Sequence, residues 1–139
     1  MTDWAQVFGD RLPKFKELQD APWGRLRYTI ALTNLQRHLD GQPLHILDAG
    51  GGNGLEAIPL AAQGHAVTVL DLTAEMVAEA RSNAEASGVA DRMAFYQADL
   101  AAIPDLFPEA KFDLVLCHNV LQYAGDLAAA ISAVCHPLR

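Results

Sequence analysis

Three aspartates and a glycine-rich run stand where a ligand could be bound. Asp48 directly precedes the run 49–54 (AGGGNG), while Asp71 and Asp99 each follow a later apolar segment. Glycines permit sharp turns and let a ligand approach the backbone closely. Carboxylates accept hydrogen bonds from hydroxyl and amino groups. The combination predicts a site for a ligand that carries ribose hydroxyls and an adenine amino group.

A histidine follows the last apolar segment of this kind. His118, within the segment 117–119, is predicted to line the reaction side of the same cleft. His118 and Tyr123 are the candidates for a general base, which is needed only when the acceptor carries a proton of high pKa. A satisfied histidine at a strand end is the alternative interpretation of His118. The residues by themselves assign no catalytic group.

The apolar segments have the length and composition of buried strands and alternate with helical patterns. Strands are predicted at 44–48, 66–71, 93–96 and 112–117, helices at 3–19 with a break near Pro13, 25–39, 55–63, 73–87 and 127–134, and a loop at 103–110. This order predicts an α/β fold, a Rossmann-like doubly wound parallel sheet of about four strands with N-terminal helices. We expect a helical segment, 1–43, before a ligand-binding domain, 44–139. The N-terminal helices are expected across the carboxyl ends of the strands or along one face.

The candidate residues all fall at the edge of a parallel sheet where ligands bind, outside the carboxyl ends of the strands. Each has a simpler explanation when taken alone. The glycines can form a tight turn, Asp71 can neighbour the cap of the next helix, for which Thr73 is the predicted N-cap, and Asp99 can be a solvated loop residue. Their common position at one edge favours a binding site.

Two nucleotide-type ligands compete for this site. Residues 52–57 (GNGLEA) satisfy the G-x-G-x-x-G/A pattern of dinucleotide-binding folds, so NAD is one candidate. Asp48 argues against it, because a carboxylate directly before the loop sits poorly beside a pyrophosphate. A carboxylate there suits the cationic ammonium and sulfonium groups of S-adenosylmethionine.

The same segments resemble the motifs of class I S-adenosylmethionine-dependent methyltransferases. Residues 46–54 are similar to the first motif, Asp71 to the ribose-binding acid of the second, 97–99 to the adenine-contacting segment, and 112–123 to the fourth motif and the segment after it. The resemblance implies a methyl transfer by in-line displacement. It also implies that the cofactor-binding residues include Asp48, Gly50, Gly51, Gly52, Asp71, Leu72, Asp99 and Leu100.

Three segments resemble more closely the bacterial methyltransferases that esterify the carboxymethoxy group on the wobble uridine of transfer RNA. These segments are 24–27, 47–52 and 118–121. The likeness implies that Arg27 reaches the carboxylate of the methionyl moiety and that His118 lines the methyl-donor pocket. A solvated helix charge is the alternative interpretation of Arg27. Asp99 departs from this closer family, so the acceptor stays open between a small molecule and a modified transfer RNA base.

Composition restricts the partners and the compartment. The net charge is −7, which argues against binding of a nucleic-acid phosphate backbone by these 139 residues alone. Two cysteines indicate free thiols in a reducing compartment, and neither a signal peptide nor an apolar run of membrane-spanning length occurs. No metal-ligand spacing is present. We therefore expect a cytoplasmic protein that acts without a metal or a membrane.

The superfamily sheet has more strands than this chain supplies, so we expect a C-terminally truncated chain or fragment. The fourth strand then becomes an apolar edge, which favours association with another strand. This predicts a homodimer through the exposed edge, or dependence on a partner chain. Two other functions stay open: a non-catalytic module that binds S-adenosylmethionine and, less favoured, a nicotinamide-dependent oxidoreductase.

Overall fold

The computed structural model describes residues 2–139, and four segments of the chain form one parallel sheet. The strands are β1 (His45–Ala49), β2 (Ala66–Asp71), β3 (Met93–Gln97) and β4 (Leu114–Leu116). Their order in the sheet is β3-β2-β1-β4, and Leu47 of β1 pairs with Thr68 on one side and Val115 on the other. The predicted parallel sheet of four strands is therefore confirmed.

Seven α-helices within residues 2–139 surround the sheet. They are α1 (Trp4–Asp10), α2 (Leu12–Asp20), α3 (Pro22–Gln36), α4 (Ala57–Ala62), α5 (Ala74–Ala86), α6 (Ile103–Leu106) and α7 (Leu127–Cys135). Successive side chains of a strand point to opposite faces, so Ile46 and Leu47 enter two separate cores. Ile46 packs with residues of α4 and α5, and Leu47 packs with Ile103 and Val134 of α6 and α7. Helices cover both faces of the sheet, which explains why most residues of the central strands are apolar.

Prolines set several helix boundaries differently from the predictions. The second predicted helix begins at Pro22 instead of Arg25, because proline is well tolerated in the first helical turn. The predicted break near Pro13 occurs at Arg11, and Pro13 lies in the first turn of α2. The predicted loop at 103–110 was wrong in part: Ile103–Leu106 is helical, with a proline again in the first turn.

The N-terminal helices lie both across the strand ends and along one face. Leu32 and Leu35 of α3 pack against the core beneath α4 and α5. Helix α3 approaches α2 closely at Gly24, where an added Cβ would lie 2.1 Å from the carbonyl oxygen of Leu18. Helices α1 and α2 extend over the carboxyl ends of the strands. None of the helices among residues 2–139 is both long and apolar enough to span a bilayer.

The predicted edge position of the fourth strand is confirmed, although its regular part is only Leu114–Leu116. Phe112, just before β4, forms a parallel bridge with Leu138. The amide of Arg139 donates to the carbonyl of Phe112 over 2.9 Å, and the amide of Phe112 donates to the carbonyl of Pro137 over 2.9 Å. These bonds cover the first part of the edge and leave β4 itself unpaired on that side within the described residues.

Candidate functional site

A cleft of about 440 Å³ opens at the carboxyl ends of β1, β2 and β4 and is roofed by the N-terminal helices. Its volume is within the usual range for a small-molecule site. Every residue that the sequence assigned to the cofactor lines this cleft: Arg27, Asp48, Gly50, Gly51, Gly52, Asp71, Leu72, Asp99, Leu100 and His118. Tyr123, the second candidate base, lines it as well. Their individual contacts with a cofactor stay predictions.

The glycine loop needs glycine for two reasons. Gly50 and Gly52 have φ angles of +75° and +55°, which L side chains rarely adopt. A Cβ on Gly50 would lie 2.3 Å from a methyl group of Val120. The amides of Gly50 and Gly51 both donate to the carbonyl of Leu70, over 2.7 and 3.1 Å, and so anchor the loop to the end of β2. The loop therefore presents bare backbone to the cleft.

Asp71 connects this loop to the end of β2. Its Oδ2 atom accepts a hydrogen bond from the amide of Gly52 over 2.9 Å, and its Oδ1 atom accepts one from the amide of Thr73 over 2.9 Å. Each carboxylate oxygen has further lone pairs for a ligand. Burial raises the pKa of Asp71, and the two backbone hydrogen bonds oppose that rise.

The capping prediction for the next helix is half right. Thr73 occupies the N-cap position of α5, but its side chain makes no capping hydrogen bond. Its Oγ1 atom is buried and has no partner among the described residues. Asp71 supplies a nearby acceptor instead, because its carboxylate accepts a hydrogen bond from the amide of Thr73. The acid at the strand end thus organises the turn into α5 as well as the cleft.

Asp48 forms part of the buried floor beneath the glycine loop. It is 2% exposed, and its Oδ2 atom has no hydrogen-bond partner within the described residues. A Cβ on Gly51 would lie only 2.7 Å from that atom, so the glycine makes room for the carboxylate. Burial, then the charge of Glu56, raises the pKa of Asp48 to about 7, and His118 opposes the rise. A buried acid without a partner favours a cationic neighbour.

Glu56 is a residue of the cleft that the sequence predictions missed. Its Oε2 atom lies 2.5 Å from Nδ1 of His118, which follows β4. This contact first, and the charges of Glu56 and Asp48 after it, raise the pKa of His118, while burial lowers it. The next residue, Asn119, has a φ of +57°, which asparagine tolerates better than most residues. A carboxylate within the otherwise apolar sequence 55–58 (LEAI) was the available signal.

Asp99 and Arg27 are on other walls of the cleft. The Oδ1 atom of Asp99 accepts from the amide of Ala101 over 2.8 Å and caps the short 3₁₀ turn at 100–102. Arg27 donates to the hydroxyl of Tyr28 over 3.2 Å, and its guanidinium lies 4.9 Å from the centre of that ring. Within the described part of the chain, Arg27 forms no ion pair, so its charge is available to a ligand.

The roof of the cleft is aromatic, and the sequence predictions did not include it. Trp4 and Phe8 of α1 pack on Tyr123, with ring centres 5.0 and 4.9 Å from it. The second of these contacts is edge-to-face, an arrangement that aromatic rings favour. Tyr123 lies in the segment after β4, and these contacts therefore connect that segment to α1 at the roof of the cleft.

Charge and topology together define the class of protein. The cleft lies at the point where β1 has β2 on one side and β4 on the other, which is where open α/β folds bind nucleotide-type ligands. Carboxylates outnumber cationic side chains in its lining, so the site disfavours a pyrophosphate. No cluster of metal-ligating side chains occurs among residues 2–139. The fold and site are those of an α/β protein for an adenosine-containing ligand without a pyrophosphate.

Comparison with known proteins gives the family. Residues 46–139 match the family described as "Methyltransferase domain", and the chain belongs to it. The tRNA 5-carboxymethoxyuridine methyltransferase of Escherichia coli K12 is 35% identical over 136 residues, which cover 95% of this chain and 52% of that protein. The chain therefore spans about half the length of this relative.

Solved structures share the fold. Magnesium protoporphyrin IX methyltransferase from Synechocystis PCC 6803 with bound SAH (S-adenosylhomocysteine) superposes with a TM-score of 0.66 and 27% identity, covering 81% of this chain and 51% of that one. The [4+2]-cyclase SpnF superposes with a TM-score of 0.85 at 21% identity, covering 97% and 55%. At that identity the cyclase shows only the fold, and its name shows that one fold carries different reactions.

Proposed function

We propose that this chain binds S-adenosylmethionine and forms the methyl-donor half of a methyltransferase. The observation that carries the proposal is the acidic cleft, with the unpartnered Oδ2 atom of Asp48 on its floor and Asp71 bonded to the glycine loop. A cationic sulfonium compound suits this lining, and the pyrophosphate of NAD does not. A nicotinamide-dependent oxidoreductase is therefore the disfavoured alternative.

The residues of the cleft fit the parts of this cofactor. Asp71 would accept hydrogen bonds from the ribose hydroxyls, and Asp99 would accept one from the adenine amino group. Leu72 and Leu100 line the same cleft and would supply apolar contacts. Gly50, Gly51 and Gly52 would let the ligand lie against the backbone. Arg27 would hold the methionyl carboxylate, and Asp48 would attract the ammonium and sulfonium charges. The cofactor supplies an electrophilic methyl group, and the protein supplies alignment and exclusion of water.

The acceptor is proposed to be a small molecule or a modified tRNA base. The relatives named above act on acceptors of these two kinds according to their names. The net charge of −7 favours the small molecule for this chain acting alone, because RNA binding needs a basic surface. A module that binds the cofactor without a complete acceptor site is the second candidate, since the chain spans about half of its E. coli relative.

Calorimetric titration with S-adenosylhomocysteine tests the proposal. We expect a dissociation constant on the order of micromolar and no heat from NAD. Asp71→Ala should weaken binding at least roughly tenfold, because two backbone bonds and the ribose contact are lost together. Asp105→Asn, an exposed carboxylate outside the cleft, is the matched control. If neither S-adenosylhomocysteine nor NAD binds, the proposal is contradicted. An assay of methyl transfer to a panel of acceptors separates an enzyme from a binding module.

Three broader proposals accompany this one. The unpaired side of β4 would associate with the same strand of a second copy. Light scattering with size-exclusion chromatography should then detect a dimer, and a stable monomer would contradict this proposal.

A cytoplasmic location is supported by Cys117 and Cys135, which form no disulfide among residues 2–139. The division into segments 1–43 and 44–139 also stays a proposal, and limited proteolysis tests it.

A further inference from the structure

Glu56 and His118 form a carboxylate–imidazole pair at the mouth of the cleft. The Oε2 and Nδ1 atoms are 2.5 Å apart, and the Glu56 side chain is only 11% exposed, whereas the His118 side chain is 42% exposed. An ionised carboxylate can only accept, so Nδ1 carries the hydrogen. Nε2 has no hydrogen-bond partner within the described residues and is the atom through which the ring can exchange a proton with a ligand.

This arrangement reproduces the relationship of base and orienting acid in hydrolytic triads, where a buried carboxylate fixes the tautomer of the histidine and stabilises its cation. We propose that Glu56 and His118 act as a general-base pair, in which Glu56 holds Nδ1 and Nε2 takes the proton of an acceptor that bears a hydroxyl group. Glu56 is then a positioning residue, and His118 is the group that meets the acceptor. The inference rests on the proposed methyl-donor function.

The proton transfer also balances the charge of the cleft. The acceptor oxygen bonds to the methyl carbon, the carbon–sulfur bond breaks with its electron pair remaining on sulfur, and the O–H proton passes to Nε2. The positive charge lost at sulfur reappears on the imidazolium of His118. That cation lies beside Glu56 and Asp48, so the acidic lining stabilises the products as well as the donor.

Other titratable groups share the same cleft and set the field around His118. Asp48, Asp71 and Asp99 line the cleft at the strand ends, and Asp126 lines it from the segment before α7. Arg27 and Tyr28 line it from α3, and Tyr123 lines it from the segment after β4. Glu56 and Asp48 are the carboxylates whose charges raise the pKa of His118, and Glu56 has the larger effect. Replacing Glu56 should therefore affect His118 more than replacing a more distant carboxylate.

The first test is an NMR titration of His118, whose signal is identified among the five histidines by its absence in His118→Asn. In the unliganded chain, Glu56→Gln should lower the titration midpoint of His118 by about one pH unit, because the amide cannot stabilise the imidazolium by charge. Glu56→Asp should restore part of the difference. Asp126→Asn, which alters another carboxylate of the cleft and keeps a good N-cap residue, should leave the midpoint unchanged.

The second test compares the two cofactor forms. A sulfonium in the cleft repels the imidazolium, so the midpoint of His118 should be lower by about one pH unit with S-adenosylmethionine than with S-adenosylhomocysteine. Equal midpoints with both ligands bound, or a midpoint that Glu56→Gln does not move, would overturn the base pair. Failure of both ligands to bind would instead overturn the donor site on which the pair rests.

Discussion

Gln19 of α2 and Asn53 of the glycine loop exchange two side-chain hydrogen bonds in the interior of the protein. Gln19 Nε2 donates to Asn53 Oδ1 over 3.1 Å, and Asn53 Nδ2 donates to Gln19 Oε1 over 2.8 Å. Both residues are buried, at 6% and 4% exposure. The pair fixes the N-terminal helices to the loop, so the roof of the cleft and its floor are positioned by one contact.

Gln19→Ala should therefore destabilise the protein. It leaves the buried amide of Asn53 without a side-chain partner, and an unsatisfied buried polar group costs about 1–3 kcal/mol. Urea unfolding should show a loss of this size in the free energy of unfolding. Gln6→Ala, an exposed glutamine on α1, is the control and should change little.

A double-mutant cycle checks the cause. If the two amides act as a pair, Gln19→Ala combined with Asn53→Ala should cost less than the sum of the two single variants. An additive result would show that Gln19 stabilises the protein through its other contact, in which Nε2 donates to the hydroxyl of Tyr28 over 2.9 Å.

Stability should fall as the pH rises through neutrality. The pKa of Asp48 is raised from 3.8 to about 7 in the folded protein, so between these values the folded state retains a proton that the unfolded state has lost. The raised pKa of His118 acts in the same direction, because its stabilising contribution is complete below 6.5 and disappears as the pH passes its folded pKa. Both groups therefore make the protein more stable on the acidic side of neutral.

Urea unfolding at pH 5.5 and pH 8 measures this effect. From Asp48 alone, the free energy of unfolding should be lower at pH 8 by about 2 kcal/mol. Asp48→Asn removes the ionisation and nearly keeps the shape, so the variant should lose less stability over this interval and should exceed the natural chain at pH 8. A pH dependence that Asp48→Asn leaves intact would assign the effect to other groups.

The strands and the acids at their ends could be predicted from the sequence because their signals are local. Each strand is a short apolar run that ends beside its own functional residue, as β2 ends at Asp71. The rule that ligands lie at the carboxyl ends of parallel strands then brings distant residues to one edge. That rule needs no knowledge of side-chain contacts, which is why the cofactor residues predicted at the strand ends line the cleft, whereas Arg27 of α3 was predicted only from the family resemblance.

The missed residues act through long-range contacts. Glu56 meets His118 across 62 positions of the sequence, and Gln19 meets Asn53 across 34. The apolar neighbours of Glu56 in the sequence mark it as unusual, but they do not reveal that its partner is His118. The contact of Gln19 with Asn53 depends on how α2 packs over the loop, and the contact of Glu56 with His118 depends on the pairing of β1 with β4.

Gly50→Ala should damage both the fold and the cleft. The residue has a φ of +75°, and the new methyl carbon would lie 2.3 Å from Val120. Backbone strain and overpacking should together lower the free energy of unfolding by about 2–4 kcal/mol. Gly125→Ala is the matched control, because an added Cβ there meets nothing within 4 Å. Val120→Ala in the Gly50→Ala background should recover part of the loss if the collision is the cause.

Arg27→Gln should weaken binding of S-adenosylhomocysteine by roughly tenfold, because a hydrogen bond to a charged group contributes about 1.5–3 kcal/mol. The same substitution should not change the affinity for 5′-methylthioadenosine, which has the adenosine part but lacks the methionyl carboxylate. Isothermal titration calorimetry with both ligands measures the difference. Arg25→Gln changes an exposed arginine of the same helix that lies outside the cleft lining, so it should bind both ligands normally. Equal weakening of the two ligands by Arg27→Gln would mean that Arg27 supports the cleft wall through Tyr28 and does not recognise the carboxylate.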